Sequence, residues 1–161
     1  MGKIIFVHRF VPDFAKIIKL IHSLLCKYTS FDWNGEKQST FAMIKDAIAS
    51  APVLSKPDFN KDLQLYTNAN EQAISTILIQ IDSEVYEGPI AFTSQILTNA
   101  KVKFPYIENH ALTLVFSLHK FHHYIHGRHM IVNLLIPLVN HLLSQTYLQG
   151  KLANWLAKFQ E

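Results

Sequence analysis

The sequence predicts an α+β domain, a mixed β-sheet flanked by helices and preceded by a two-helix leader. Two observations carry that prediction. From Asp62 the apolar residues change from helical spacing to alternation, and a long amphipathic helix at 104–128 separates three β-rich runs from a fourth. A strand–helix–strand passage of that length is the usual right-handed crossover to a parallel neighbour, so a sheet that begins as a meander becomes mixed.

The leader opens with residues 11–28. Pro12 suits a first helical turn, and Phe14, Ile17, Ile18, Ile21, Leu24 and Leu25 form one stripe. Lys16, Lys19, His22 and Lys27 lie mostly off it; scattered lysine of this kind is ordinary surface chemistry, the alternative being a basic face for a nucleic-acid backbone. In FDWNGEKQ, Asn34 is placed to cap a second helix, whose buried face is Phe41, Ile44, Ala47 and Ile48. Ala51-Pro52 closes it, because proline pushes the residue before it away from helical geometry.

Asp58 to Lys61 reads as a turn, after which Leu63, Leu65 and Thr67 point one way and Gln64, Tyr66 and Asn68 the other. Ile74 to Ile81 is a second strand, Asp82-Ser83-Glu84 a turn, and Gly88-Pro89 opens a third run, IAFTSQIL. Three strands in succession form an antiparallel meander. In the long helix Pro105 occupies the first turn and Gly127 is the stop. Ile107, Ala111, Leu114, Val115, Leu118, Phe121 and Ile125 make its buried face. Met130 to Leu135 supplies the fourth strand, and Leu138–Leu143 and Leu152–Phe159 supply later helical segments to cover a sheet face.

A hydrophobic content of 49% against 17% charged describes a globular chain, and 161 residues hold one domain with a helical extension. The net charge of +3 permits a nucleic-acid partner without arguing for one. A lone cysteine, Cys26, forms no internal disulfide, and the apolar start is too short and badly flanked for a signal peptide. No apolar run is long enough to cross a bilayer. The expectation is an intracellular chain that is not secreted and has no membrane partner.

YTNANEQAISTILIQ (66–80) and the long helix with its tail GRHMIV go further than composition. With RFVPDFAKI, FDWNGEKQSTF and SAPVLSKPDF ahead of them, and KLANWLAKFQE at the end, they resemble the pol polyprotein of Ty3/gypsy-type retrotransposons. The region is similar to the end of the reverse-transcriptase thumb (residues 1–51) followed by an RNase H-like domain (52–161) that stops short of its last helix. The resemblance implies a five-stranded mixed sheet flanked by helices. It also implies an activity, hydrolysis of the RNA strand of an RNA–DNA hybrid by two Mg²⁺ ions held on carboxylates.

Residue by residue, that implied site is altered. Where the family carries Thr-Asp-Ala-Ser on its first strand, the chain has Thr67-Asn68-Ala69-Asn70, so Asn68 replaces the bridging Asp. Where the family helix reads Ile-Glu-Lys-Glu-Ala-Leu, the chain reads Ile107-Glu108-Asn109-His110-Ala111-Leu112, which puts His110 at the second Glu. Imidazole suits Zn²⁺ far better than Mg²⁺. Glu108 is no substitute, since two residues turn a side chain by about 200° around a helix. On the fourth strand Leu135, or Leu134 with a one-residue gap, stands at the family's Asp. The resemblance therefore implies a domain with no intact catalytic residue, no bound metal and no cofactor of its own.

The remaining candidates are nucleic-acid contacts at Asn70, Lys120 and Arg128, within a wider basic set that includes Lys101, Lys103, Lys151 and Lys158. The implied partners are an RNA–DNA hybrid or other nucleic acid, and the remainder of a pol polyprotein. Residual ribonuclease activity with Asn68 and His110 is one alternative, and a protein-interaction module on the same sheet is another. His119, His122, His123 and His126 share one side of the helix, either as a zinc or copper site or as a polar face complementing the helix dipole. Without a matching cysteine or a second ligand cluster, the polar face is the simpler expectation. Trp33 and Trp155 are expected in core packing rather than as base-stacking platforms.

Overall fold

A computed structural model describes residues 8–25, 29–81, 87–97, 105–134 and 154. Helix α1 spans Phe14–His22, between 3-10 turns at His8–Phe10 and Ser23–Leu25. It is shorter than its apolar stripe predicts. Pro12 falls before it, and Asp13 at the N-cap has φ 50°, a left-handed conformation outside the right-handed helical region, so the helix starts only at Phe14. Phe14, Ile18 and Ile21 are buried as expected, but Leu25 is exposed because the turn after His22 rotates it off the stripe.

Helix α2 spans Gly35–Ala49, and the Asn34 side chain accepts from Lys37 N at 3.2 Å, the N-cap the sequence predicts. Ile44 is buried and Phe41 and Ala47 are partly so, whereas Ile48 faces solvent. The face is narrow because α1 is the main element it meets. Val11, Phe14, Ile18, Ile21 and Ile44 form one cluster, with Ile96 of the sheet packed against it.

The strands are β1 Leu63–Ala69, β2 Ala73–Ile81, β3 Glu87–Ile96 and β4 Met130–Asn133, in the order β3-β2-β1-β4. β1, β2 and β3 form the antiparallel meander, and β4 lies parallel to β1 with Leu63 opposite Met130. The mixed sheet is as predicted. The turn at 82–84, the strand position Leu135 and the later segments 138–143 and 152–159 lie outside the described residues, apart from Asn154.

Helix α3 spans Tyr106–Ile125, with Pro105 one residue outside it as N-cap and Gly127 at φ +69° past its end, the left-handed stop that favours glycine. Leu114 and Phe121 pack with Leu63, Leu65, Leu78, Ile90 and Ala91, and Leu112 and Phe116 flank Ala69, Ile74 and Leu97. α1 reaches the opposite face, where Ala15 N donates to Ser94 Oγ at 2.8 Å. The result is helices on both sides of one sheet.

The buried face of α3 differs from its apolar pattern. Ile107, Val115, Leu118 and Ile125 are only half-buried, while His110, Thr113 and Ser117 are fully buried. The reason lies in the sheet, which offers polar side chains at the same place.

Leu78, at 0% exposure, should lose about 2–5 kcal/mol on Leu78→Ala by urea unfolding, while Val53→Ala at an exposed position should stay within about 0.5 kcal/mol.

Candidate functional site at the helix–sheet seam

Strand alternation and register build the sheet side of the seam. Thr67 of β1 stands opposite Thr76 of β2, and Thr76 opposite Thr93 of β3, so three threonines cross the sheet on one face. All three are buried. On α3, His110, Leu114, Ser117 and Phe121 follow at steps of four, three and four, which places them on one line along the helix.

That line meets the sheet at Ser117, whose Oγ lies 2.6 Å from Thr76 Oγ1. The Ser117 hydroxyl donates to Thr113 O at 2.6 Å, so Thr76 supplies the proton in the pair between them. Thr113 in turn donates to Asn109 O at 2.7 Å. Helix carbonyls thus absorb hydroxyls that would otherwise lie buried and unpartnered.

One turn nearer the helix start, His110 is 1% exposed, with the Tyr106 ring edge-on at 4.4 Å between centroids. Neither Nδ1 nor Nε2 finds a hydrogen-bond partner among the described residues, nor do Thr67 Oγ1 and Thr93 Oγ1. Burial lowers the His110 pKa below the usual imidazole value, because removal from water penalises the charged form. Burial thus favours the uncharged form of this ring.

Asn68 does not share this environment. It pairs with Ser75 and is exposed on the sheet face away from α3. Strand alternation therefore puts Asn68 and His110 on opposite faces of the sheet, the first exposed and the second buried. Leu134 is half-buried beyond the end of β4. Among the described residues no three His, Cys, Asp or Glu side chains come together in a way that could hold a metal ion. An exposed amide and a buried imidazole do not fit Mg²⁺, a hard cation that needs carboxylate oxygens.

The three nucleic-acid candidates are also dispersed. The Asn70 side-chain oxygen accepts from Gln72 N at 2.9 Å and Ala73 N at 2.8 Å, which commits it to the β1–β2 turn. Arg128 stacks on Phe59 at 3.8 Å and donates to Phe59 O at 3.2 Å, joining the turn after α3 to the loop before β1. The two residues belong to opposite ends of β1, about 20 Å apart along a seven-residue strand. Lys120 is exposed, its Nζ 5.8 Å from the Phe116 ring centroid, and lies toward the Arg128 end.

Trp33 departs from the core placement expected of it. It is 42% exposed ahead of α2, donates its indole N–H to Gln38 Oε1 at 2.9 Å, and lies between the Phe31 and Phe41 rings. Trp155 and Lys101, Lys103, Lys151 and Lys158 lie outside the described residues. The sequence reading missed the hydroxyl seam. Its signal was three threonines at inward strand positions and Thr113 and Ser117 four apart on the helix.

This order of strands, with a parallel fourth strand reached through a long helix, defines an RNase H-like α+β domain. The family described as the RNase H-like domain found in reverse transcriptase matches residues 33–132, and the chain belongs to it. Its relatives are retrotransposon Pol polyproteins. The retrovirus-related Pol polyprotein from transposon 297 of Drosophila melanogaster is 31% identical over 128 residues, 79% of this chain. That from transposon 412 of the same organism is 26% identical over 97% of the chain. The chain spans 12% of the length of each. A Tf2 polyprotein of Schizosaccharomyces pombe, 24% identical over 78% of the chain and matched over 9% of its own length, supports the Ty3/gypsy affinity.

Among solved structures, the foamy viral protease–reverse transcriptase in complex with dsDNA shares the fold at TM-score 0.82, with 23% identity over 99% of this chain and 34% of that one. The same protein in complex with RNA/DNA hybrid matches at TM-score 0.77, 23% identity and 99% coverage of this chain, over 22% of its own.

Because the folded His110 pKa is depressed, its contribution to stability is complete above the unfolded value of about 6.5 and is lost as pH falls toward the folded value. His110→Leu should therefore lose less stability than the wild type between about pH 7.5 and about pH 5.5 in urea unfolding. It should also gain about 1–3 kcal/mol at the higher pH by removing a buried polar group without a partner. Equal pH dependence would assign the effect to another group.

Proposed function

We propose that the chain is the RNase H-like part of a retrotransposon pol polyprotein in which the hydrolytic site has been lost and the scaffold kept. In this reading residues 1–51 correspond to the end of a reverse-transcriptase thumb and 52–161 to the RNase H-like domain. The observation that carries it is His110, a fully buried imidazole at the helix position where the resemblance implies a metal-binding Glu, its pKa lowered by burial. Two Mg²⁺ ions close together repel each other, and only anionic ligands offset that repulsion. Asn68, His110 and Leu135 supply no negative charge between them.

The domain's remaining role is to pack within the polyprotein and to contact nucleic acid. The foamy viral neighbours are complexes with dsDNA and with RNA/DNA hybrid, which supports a nucleic-acid partner for this chain as well. Phosphate contacts need positive charge and shape but no metal, so binding can outlive catalysis. Lys120 and Arg128, both toward the C-terminal end of α3, are the residues assigned to such a contact.

A labelled RNA–DNA hybrid incubated with the chain in Mg²⁺ and in Mn²⁺ tests this reading, with electrophoretic mobility followed in parallel. No cleavage and a salt-sensitive shift, weakened by Lys120→Ala, are expected. Metal-dependent cleavage that disappears in His110→Ala would contradict the loss of the site and establish a rebuilt one.

A further inference from the structure

The four histidines at the end of α3, His119, His122, His123 and His126, play no part in the proposed function, and the structure brings two of them together. His123 packs on Tyr124 with ring centroids 4.1 Å apart. His122 and His126 face each other, centroids 4.9 Å apart and planes inclined at 32°. Both are exposed.

The spacing of the His122–His126 pair has a chemical meaning. Two imidazoles on one tetrahedral ion, with metal–nitrogen bonds of about 2.0–2.1 Å, hold their ring centres about 5 Å apart. The backbone fixes the separation before any ion arrives. His126 is the C-cap of α3, and its N–H donates to His122 O at 2.9 Å; Gly127 at φ +69° then ends the helix. The two Cα positions belong to one closed helical turn, so chelation needs only side-chain adjustment.

We infer that His122 and His126 form a two-ligand site for a borderline divalent transition metal such as Zn²⁺. The ligand class follows from imidazole, which takes Zn²⁺ and Cu²⁺ and leaves Mg²⁺ to oxygen donors. Among the described residues no third His, Cys, Asp or Glu completes a cluster with them. This site lies at the far end of α3 from His110 and is independent of the hydrolytic chemistry.

Calorimetric titration of the chelator-treated chain with ZnCl₂ under reducing conditions tests the inference, with Co²⁺ absorption reporting tetrahedral geometry. One ion per chain is expected. His122→Ala and His126→Ala should each weaken binding by at least about tenfold, a loss that even outer-ligand changes can produce. His119→Ala and His123→Ala should keep it. Both essential positions are exposed, and circular dichroism without metal checks that the variants fold alike. Absence of saturable uptake would overturn the site, as would binding that survives both essential substitutions, that Cys26→Ser abolishes, or that the His119 and His123 variants weaken equally.

Discussion

The contact between Thr76 and Ser117 is the constraint on which the seating of α3 depends. Two hydroxyl oxygens at 2.6 Å, sealed from water, fix the helix along and across the sheet more sharply than apolar surface can. Apolar packing tolerates sliding, but a buried hydrogen bond does not, because a displaced hydroxyl is left without a partner. The Leu63–Leu65–Leu78 cluster lies on one side of this contact and the Ala69–Ile74–Leu97 cluster on the other. They exclude water from the seam, so the Thr76–Ser117 contact is made between the protein's own groups.

Under the proposed reading, that division of labour bears on how the scaffold persists without its chemistry. The packing of α3 on the sheet rests on Leu114, Phe121 and the hydroxyl seam, none of which requires charge. In the proposed reading, carboxylates at the positions of Asn68 and His110 would serve to hold ions, and the contacts that seat α3 on the sheet do not depend on charge at either position. An imidazole between helix and sheet is compatible with that core, although its nitrogens lack partners among the described residues.

The periodicities made the architecture legible. The change from helical spacing to alternation at Asp62 marked the meander, and the length of the α3 pattern required a crossover and a parallel β4. The N-cap at Asn34 was visible in one residue. The start of α1 was not, because Pro12 suits a first helical turn and the left-handed backbone of Asp13 that delays the helix to Phe14 has no signal in the residue type. Nor was the inner face of α3 fully legible. Hydrophobic spacing selected Val115 and Leu118, whereas the threonine ladder drew Thr113 and Ser117 inward, and that ladder exists only once the strand register is known. The candidate contacts fared similarly: nothing local in the sequence separates Asn70 and Arg128 by the length of β1, or stacks Arg128 on Phe59.

The most direct test of the account is the charge of His110 itself, read from the side-chain ¹⁵N shifts of the labelled chain across the pH range around 6.5, where free imidazole titrates. With Mg²⁺ present, the account predicts a neutral ring at pH values where a free imidazole is half protonated, and shifts that do not respond to the metal. An imidazolium in the folded chain at neutral pH, or shifts that saturate with Mg²⁺, would contradict it.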